Sequence, residues 1–171
     1  MRPYLAGLGL TALALFAPGV SALESDARQP INVAADRLDL DDRAGTAVYT
    51  GDVNLTQGSM VLEAERVEIA RNDQGEVTRV TATGDTQRAY LEQRPAPDDQ
   101  LVKGWGDTVI YHAAERRVEL IGNAELHQAR DTFNGAYVEY YLDSRKVQAR
   151  SKAQGSDGQR VRMTLTPKSS P

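Results

Sequence analysis

The chain has 171 residues, the length of one ordinary domain. Its 20 basic and 24 acidic side chains give a net charge of −4, so it lacks the concentration of Lys and Arg that nucleic-acid-binding proteins show. It contains no cysteine, which excludes disulfides and thiol chemistry, so stability must come from a continuous core and strand pairing.

The N-terminus has the features of a secretory signal peptide. Arg2 supplies a positive charge, residues 5–17 form an apolar run, and small residues occupy the two cleavage-reading positions of 20–22. We predict that residues 1–22 are removed. The alternative is a retained anchor, but the run is short for a hydrocarbon core of about 30 Å. An exported chain without cysteine is expected in the periplasm of a bacterium with two membranes.

From residue 29 onward, apolar and polar residues alternate in short runs that Gly, Asp and Asn separate. This pattern is typical of strands with one buried face and one wet face. The predicted strands are 31–40, 46–57, 60–71, 77–83, 86–93, 107–112, 117–128, 132–142, 147–150 and 161–165. No segment has an apolar stripe at helical spacing, so the predicted class is all-β. We expect a polar lead at 23–28, one β domain at 29–167 and a short tail at 168–171.

The β pattern repeats within the chain. An offset of 71 residues aligns the first half with the second without a gap. The matched pairs include Asp36 with Asp107, Gly51 with Gly122, Leu55 with Leu126 and Gln57 with Gln128. This repetition predicts a duplicated β unit. The recurring Gly-Asp and Gly-Asn steps are either tight hairpins or corners where one long strand bends, and the shared apolar setting favours corners.

Little in the chain suggests catalysis. The only histidines are His112 and His127, both inside predicted strands, and neither has the spacing of a zinc site. The chain also lacks the glycine-rich phosphate loop of nucleotide-binding enzymes. We therefore predict no catalytic site and no cofactor.

A cluster of acidic residues is the one tempting ionic site. It comprises Asp36, Asp39, Asp41 and Asp42, and such oxygen ligands suit Ca²⁺ or, as paired carboxylates, glycoside hydrolysis. The second copy of the repeat replaces most of these residues with uncharged ones. The interpretation that we favour is a wet strand face and its turn, without a metal.

Short motifs in both copies resemble the OstA-like family of lipopolysaccharide-transport proteins. The first copy has QPI-x-V at 29–33, YTGDV at 49–53, TQG at 56–58 and AERV at 64–67. The second copy has LIGNA at 120–124, LHQ at 126–128 and GAYVEY at 135–140. The resemblance implies an open, V-shaped antiparallel β-jellyroll of about sixteen strands. It also implies a periplasmic bridge between the two membranes, built from copies that join edge to edge, with no enzymatic activity.

The same resemblance implies that an apolar groove shields the acyl chains of lipid A. Ile31, Val33 and Tyr90 match family positions, and strand alternation extends the predicted lining. The full set of groove residues is Ile31, Val33, Leu40, Tyr49, Val53, Leu55, Leu62, Tyr90, Leu126 and Phe133. The predicted edges for joining copies head to tail contain Ile31, Val33, Val161, Met163 and Leu165. Other implied partners are an anchored inner-membrane subunit and an outer-membrane translocon.

Two alternatives stay open. One is the anchored inner-membrane subunit of the same machinery, which would keep its N-terminal segment. The other is a closed, solid-cored β domain that binds polysaccharide, as an adhesin does. Polysaccharide binders usually expose aromatic platforms, whereas this chain has one Trp and its tyrosines fall mostly at apolar strand positions.

Overall fold

The structure is a computed structural model that describes residue 26, residues 28–152, residue 158 and residues 160–167. The predicted signal peptide and the tail from residue 168 lie outside the described residues, as does most of the polar lead. Within the part of the chain that is described, no helix is long and apolar enough to cross a membrane.

The described residues form twelve strands, which confirms the all-β prediction. They are β1 (Asn32–Ala34), β2 (Arg37–Asp41), β3 (Thr46–Gln57), β4 (Met60–Arg71), β5 (Val77–Thr83), β6 (Ala89–Gln93), β7 (Val102–Gly106), β8 (Thr108–His112), β9 (Arg117–Gln128), β10 (Asp131–Tyr141), β11 (Lys146–Arg150) and β12 (Arg162–Thr164). All pairings between them are antiparallel. The resemblance implies about sixteen strands, and the described residues form twelve.

The predicted first strand, 31–40, is two strands. β1 pairs with the second half of β3 and β2 with its first half. Between them, beside the bulge of β3, the Asp36 amide donates to the Gly51 carbonyl at 3.0 Å. A second difference is β7, which lies in a stretch where no strand was predicted before residue 107.

Four long strands, β3, β4, β9 and β10, each have different neighbours along their two halves. Val61–Glu63 of β4 pair with β6, whereas Arg66–Arg71 pair with β5. β9 divides in the same way between β7 and β8. The pairings therefore close a ring in the order β4-β5-β8-β9-β7-β6. Two layers result, one containing β2, β5, β8 and β11 and the other β1, β6, β7 and β12, with the long strands running through both.

Two of the long strands, β3 and β9, change layer at the glycine steps. Gly51 and Asp52 have φ angles of 82° and 42°, and Gly122 and Asn123 have φ angles of 71° and 46°. In each case two residues stand opposite one residue of the neighbouring long strand, which is the geometry of a β-bulge. Because β3 and β9 continue through these residues, the corner interpretation is confirmed.

The strand pairings also repeat, as the offset of 71 residues predicts. β1, β2 and β4 pair with β3 just as β7, β8 and β10 pair with β9. β5 and β6 pair with β4 as β11 and β12 pair with β10. The fold therefore consists of two six-strand units. They are joined where β5 meets β8 and β6 meets β7.

Candidate functional site

The interior between the two layers contains the hydrophobic core of the described residues. Val53, Leu55, Leu62 and Leu126, all predicted groove residues, lie there with at most 2% of their surface exposed. Leu55 stands opposite Leu62 across the β3–β4 pair, and Leu62 stands opposite Leu91 across the β4–β6 pair. These side chains fill the interior, so the core is packed.

Other predicted groove residues lie at the margins of this core. Ile31, Val33, Tyr49 and Phe133 are half-buried and pack against it. Leu40, on β2, is 59% exposed. Its cross-strand partner is the buried Ala47, so Leu40 faces the interior side even though little covers it. The apolar inner face is therefore open at the β1–β2 end of the fold.

The opposite end of the fold, at β12, also exposes apolar side chains. Val161, Met163 and Leu165 are 45%, 50% and 61% exposed. Met163 stands opposite the half-buried Phe133, and the two side chains share one face of the sheet. Within the described residues, the large exposed hydrophobic side chains are these three together with Leu38 and Leu40. All of them belong to the two ends of the fold.

The structure contradicts the predicted inward orientation of Tyr90. Its cross-strand partners are Glu63 and Trp105, its ring centroid lies 5.1 Å from that of Trp105, and its hydroxyl donates to Glu92 Oε2 at 2.5 Å. Partial burial, together with this carboxylate, raises the pKa of the Tyr90 phenol. Leu91, which is 3% exposed, occupies the inward position instead. Alternation places consecutive side chains on opposite faces, so Tyr90 must face outward.

The sequence analysis missed several interior residues besides Leu91. They include Met60, Val67, Val109, Leu120, Val138 and Tyr140, all buried. The internal repeat contained a signal for one of them, because Leu120 aligns with the predicted groove residue Tyr49 at the offset of 71. Burial also raises the pKa of the Tyr140 phenol to about 12, so this side chain stays uncharged in the core.

A polar concavity of about 870 Å³ lies on the outer side of β3, β4, β6 and β7. Its lining includes Glu65 and Arg88, which already have partners. Glu65 accepts from the Thr86 amide at 2.8 Å, and Arg88 pairs with Glu125 at 3.2 Å. The charged lining makes this concavity unsuitable for alkyl chains, which contrasts with the interior.

The acidic cluster is engaged in local structure. Asp39 accepts from Arg37 at 2.9 Å, Asp41 accepts from the Ala44 amide at 2.9 Å, and Asp42 pairs with Arg71 at 3.2 Å. Over the described part of the chain, His and acidic side chains form no group of three or more that could hold a metal ion.

Each histidine is paired with one carboxylate. His112 Nε2 lies 2.9 Å from Glu119, and His127 Nε2 lies 2.6 Å from Glu125. The His127 ring also packs edge-on against Trp105, with 4.9 Å between ring centroids. Both residues belong to β strands, as the sequence predicted.

Comparison with known proteins places these features in context. A family model described as "LptA/(LptD N-terminal domain) LPS transport protein" matches residues 32–146. The lipopolysaccharide export system protein LptH of Pseudomonas aeruginosa is 41% identical over 164 residues, covering 94% of this chain and 91% of that protein. The lipopolysaccharide export system protein LptA of Haemophilus influenzae is 33% identical, covering 94% of this chain and 90% of that protein.

A solved structure agrees with the sequence comparisons. It is the crystal structure of LptH from Pseudomonas aeruginosa, the LptA-homologous periplasmic component of a lipopolysaccharide transport device. It superposes with a TM-score of 0.76 at 39% identity, covering 84% of this chain and 99% of that chain. The fold of this chain is thus shared with an experimentally solved protein.

Proposed function

Because the chain belongs to the LptA/(LptD N-terminal domain) LPS transport protein family, we propose that it binds lipopolysaccharide in the periplasm and passes it toward the outer membrane. It acts as a binding protein and not as an enzyme. The observation that supports this function is the apolar interior, whose inner face continues to open apolar ends at both edges of the fold.

Physical chemistry favours such a path. Burial of one methylene contributes about 0.8 kcal/mol, so a twelve-carbon acyl chain gains about 9 kcal/mol on leaving water. A lipid with several such chains therefore needs continuous apolar cover to cross an aqueous space. The chain has no nucleotide-binding loop, so the driving force must come from a partner protein.

We infer that the interior opens to admit these chains. The four long strands contribute one half to each layer, so each layer contains eight strand segments. Spreading the layers apart at one side would give the V-shaped jellyroll that the resemblance implies. The packed core residues, such as Leu55 and Leu62, would then exchange contacts with each other for contacts with acyl chains.

The proposal extends to location and partners. Residues 1–22 serve as a signal peptide, cleavage after Ala22 releases the protein, and residues 29–167 form the transport domain. Copies associate head to tail, and the ends of the assembly meet an anchored inner-membrane subunit and an outer-membrane translocon. Mass spectrometry of the mature N-terminus tests this against the anchored alternative, which would retain residues 1–22.

Lipid binding is tested with a photo-crosslinking amino acid at two neighbouring positions. Val33 packs against the core, whereas Asn32 is exposed on the other face of β1. We expect lipopolysaccharide adducts at position 33 and few at 32. Equal labelling at both positions would contradict an interior site.

A second pair of neighbouring positions, Tyr90 and Leu91, applies the same crosslinking test to the outward orientation of Tyr90. We expect adducts at Leu91, which faces the core, and none at Tyr90. Competition with the sugar portion of lipopolysaccharide, freed of its acyl chains, should leave labelling at both inner positions unchanged. Loss of labelling under that competition would favour the polysaccharide-binding alternative.

A further inference from the structure

A row of polar and aromatic side chains crosses the outer side of the layer that contains β6 and β7. The strand registers place Asn54 opposite Glu63, Glu63 opposite Tyr90, Tyr90 opposite Trp105 and Trp105 opposite Glu125. Directly opposed residues of antiparallel strands share one face of a sheet. Tyr90 faces outward, so the five side chains form one outward row that runs across β3, β4, β6, β7 and β9.

The two aromatic rings at the centre of this row are held in place. Their centroids lie 5.1 Å apart, the Tyr90 hydroxyl donates to Glu92 Oε2 at 2.5 Å, and the His127 ring packs edge-on against Trp105. Both rings are half-buried and line the polar concavity of about 870 Å³. They therefore give the concavity an ordered aromatic wall that a ligand can reach.

The internal repeat shows that the fold does not need aromatic rings at these two positions. At the offset of 71, Ala34 of β1 stands in the place of Trp105 of β7. Arg162 of β12 takes the place on β10 that Tyr90 takes on β4. The same strand pairings thus form with a small and a charged side chain, so the aromatic pair has a reason other than strand pairing.

Several polar groups around the rings are free to bind a ligand. Glu63 accepts one long hydrogen bond, from Asn54 Nδ2 at 3.4 Å. Among the described residues, the exposed Asp52 carboxylate and the exposed Gln87 side-chain amide have no hydrogen-bond partner. These carboxylates and amides supply acceptors and donors beside an apolar ring surface.

The rim of the concavity is fixed by residues that already have partners. Glu65 accepts from the backbone amides of Thr86 and Gln87 at 2.8 and 3.3 Å, and Arg88 donates to the Asn123 carbonyl at 2.8 Å. These contacts tie the segment between β5 and β6 to β4 and β9. A site whose walls are already ordered loses less conformational entropy when a ligand binds.

This combination of groups selects a class of ligand. The lining contains three carboxylates and one guanidinium, so it disfavours an anionic ligand as it disfavours an alkyl chain. A simple cation could use the carboxylates but not the donor groups of the Asn54 and Gln87 amides. A sugar ring uses all of them, because its C–H faces stack on aromatic rings while its hydroxyls both donate and accept.

We propose that the outer concavity is a binding site for an uncharged oligosaccharide. Tyr90 and Trp105 stack against its sugar rings, and Asp52, Glu63 and Gln87 hydrogen-bond its hydroxyls. The volume of the concavity lies within the range of about 300–1,000 Å³ that small-molecule sites span. The site lies on the opposite face of the sheet from the apolar interior, so the two can be occupied together. The inference therefore does not depend on lipopolysaccharide binding.

The fluorescence of Trp105 reports on this site alone, because the chain has no other Trp. Titration of the purified protein with the tetramer of N-acetylglucosamine, an uncharged probe, should give a saturable change in fluorescence. The tetramer of galacturonic acid has the same number of rings with a carboxylate on each, and it should bind at least about tenfold more weakly. Phosphorylated lipopolysaccharide sugars freed of acyl chains should give no saturable change, which distinguishes a separate glycan from the sugars of the transported lipid.

Variants place the ligand within the concavity. Trp105→Ala and Tyr90→Ala should each weaken binding of the uncharged tetramer at least about tenfold in calorimetry. Gln87→Ala, on the exposed rim, should weaken it about three- to tenfold without disturbing the core. Tyr137→Ala is the matched control, since this half-buried tyrosine packs against Arg150 outside the concavity, and it should leave the affinity unchanged. Circular dichroism checks that each variant is folded.

Each outcome decides one part of the inference. No saturable change with the uncharged tetramer overturns the site. Unchanged affinity in the Trp105→Ala protein overturns its placement, and the Gln87→Ala protein decides the placement if Trp105→Ala does not fold. Equal affinity for the two tetramers overturns the ligand class. Lipopolysaccharide crosslinking at positions 33 and 91 tests the proposed function separately, and its loss in the Gln87→Ala protein would overturn the independence of the two sites.

Discussion

The corner at Gly122 provides a quantitative test of the fold, through the substitution Gly122→Ala. Its φ angle of +71° lies in the left-handed region, which costs an alanine about 1 kcal/mol. A Cβ atom there would also lie 2.3 Å from Asp107 Oδ2 and 2.9 Å from its Cγ. The carboxylate would have to move, and it would lose hydrogen bonds of 2.9 and 3.1 Å from the Asn123 side-chain amide.

Adding the loss of that interaction, about 1 kcal/mol, gives a total destabilisation of about 2 kcal/mol for Gly122→Ala. Gly75 is the matched control, since its φ angle of +81° is similar but nothing lies within 4 Å of an added Cβ. Gly75→Ala should therefore cost only the backbone contribution of about 1 kcal/mol. The measurement is urea unfolding followed by circular dichroism, with the midpoint and slope compared across variants.

A double variant isolates the contact. Removing the Asp107 carboxylate eliminates most of the clash, so Gly122→Ala should destabilise the Asp107→Ala protein less than it destabilises the wild type. Equal free-energy losses for Gly122→Ala and Gly75→Ala would refute the reasoning. That result would mean that Asp107 moves aside at no cost and that the corner is not tightly packed.

Two further predictions follow from burial and from titration. Leu62→Ala removes a side chain with 0% exposure and should lower the free energy of unfolding by about 2–5 kcal/mol. Leu40→Ala, at a 59% exposed position, should change it by less than about 0.5 kcal/mol, and the reverse order in urea unfolding would contradict the burial assigned to them. The Thr86 hydroxyl donates to Glu65 and lowers the pKa of that carboxyl below its usual 4.5. A lowered pKa stabilises the fold above the ordinary value, and this stabilisation is lost as the pH falls. The Glu65→Gln protein should therefore have a lower free energy of unfolding than wild type at neutral pH, and the difference should shrink below about pH 4.5. Urea unfolding at neutral and at strongly acidic pH measures this difference. A difference that stays constant between the two would exclude this role for Glu65.

Local patterns in the sequence were sufficient for the class and the repeat. Alternation with period two predicted most strands within a few residues, because side chains on a strand must divide between core and solvent. The offset of 71 residues predicted the duplication, and the paired Gly-Asp and Gly-Asn steps predicted the corners. These features depend on the backbone preferences and burial of residues that are close together in the chain. They can therefore be predicted from a single sequence.

The tertiary structure decided what depends on distant partners. Tyr90 and Leu91 are adjacent residues of one strand, and both have large, partly or wholly apolar side chains, so alternation alone does not show which of them faces inward. The pairing of Tyr90 with Glu63 and of Leu91 with Leu62 shows that Leu91 does. The break after β1 likewise depends on Gly51, fifteen positions beyond Asp36 in the chain. The closed ring of six strands arises from contacts between strands far apart in sequence. Short-range alternation cannot specify such contacts, because it determines which residues share a face but not which strand lies next to which.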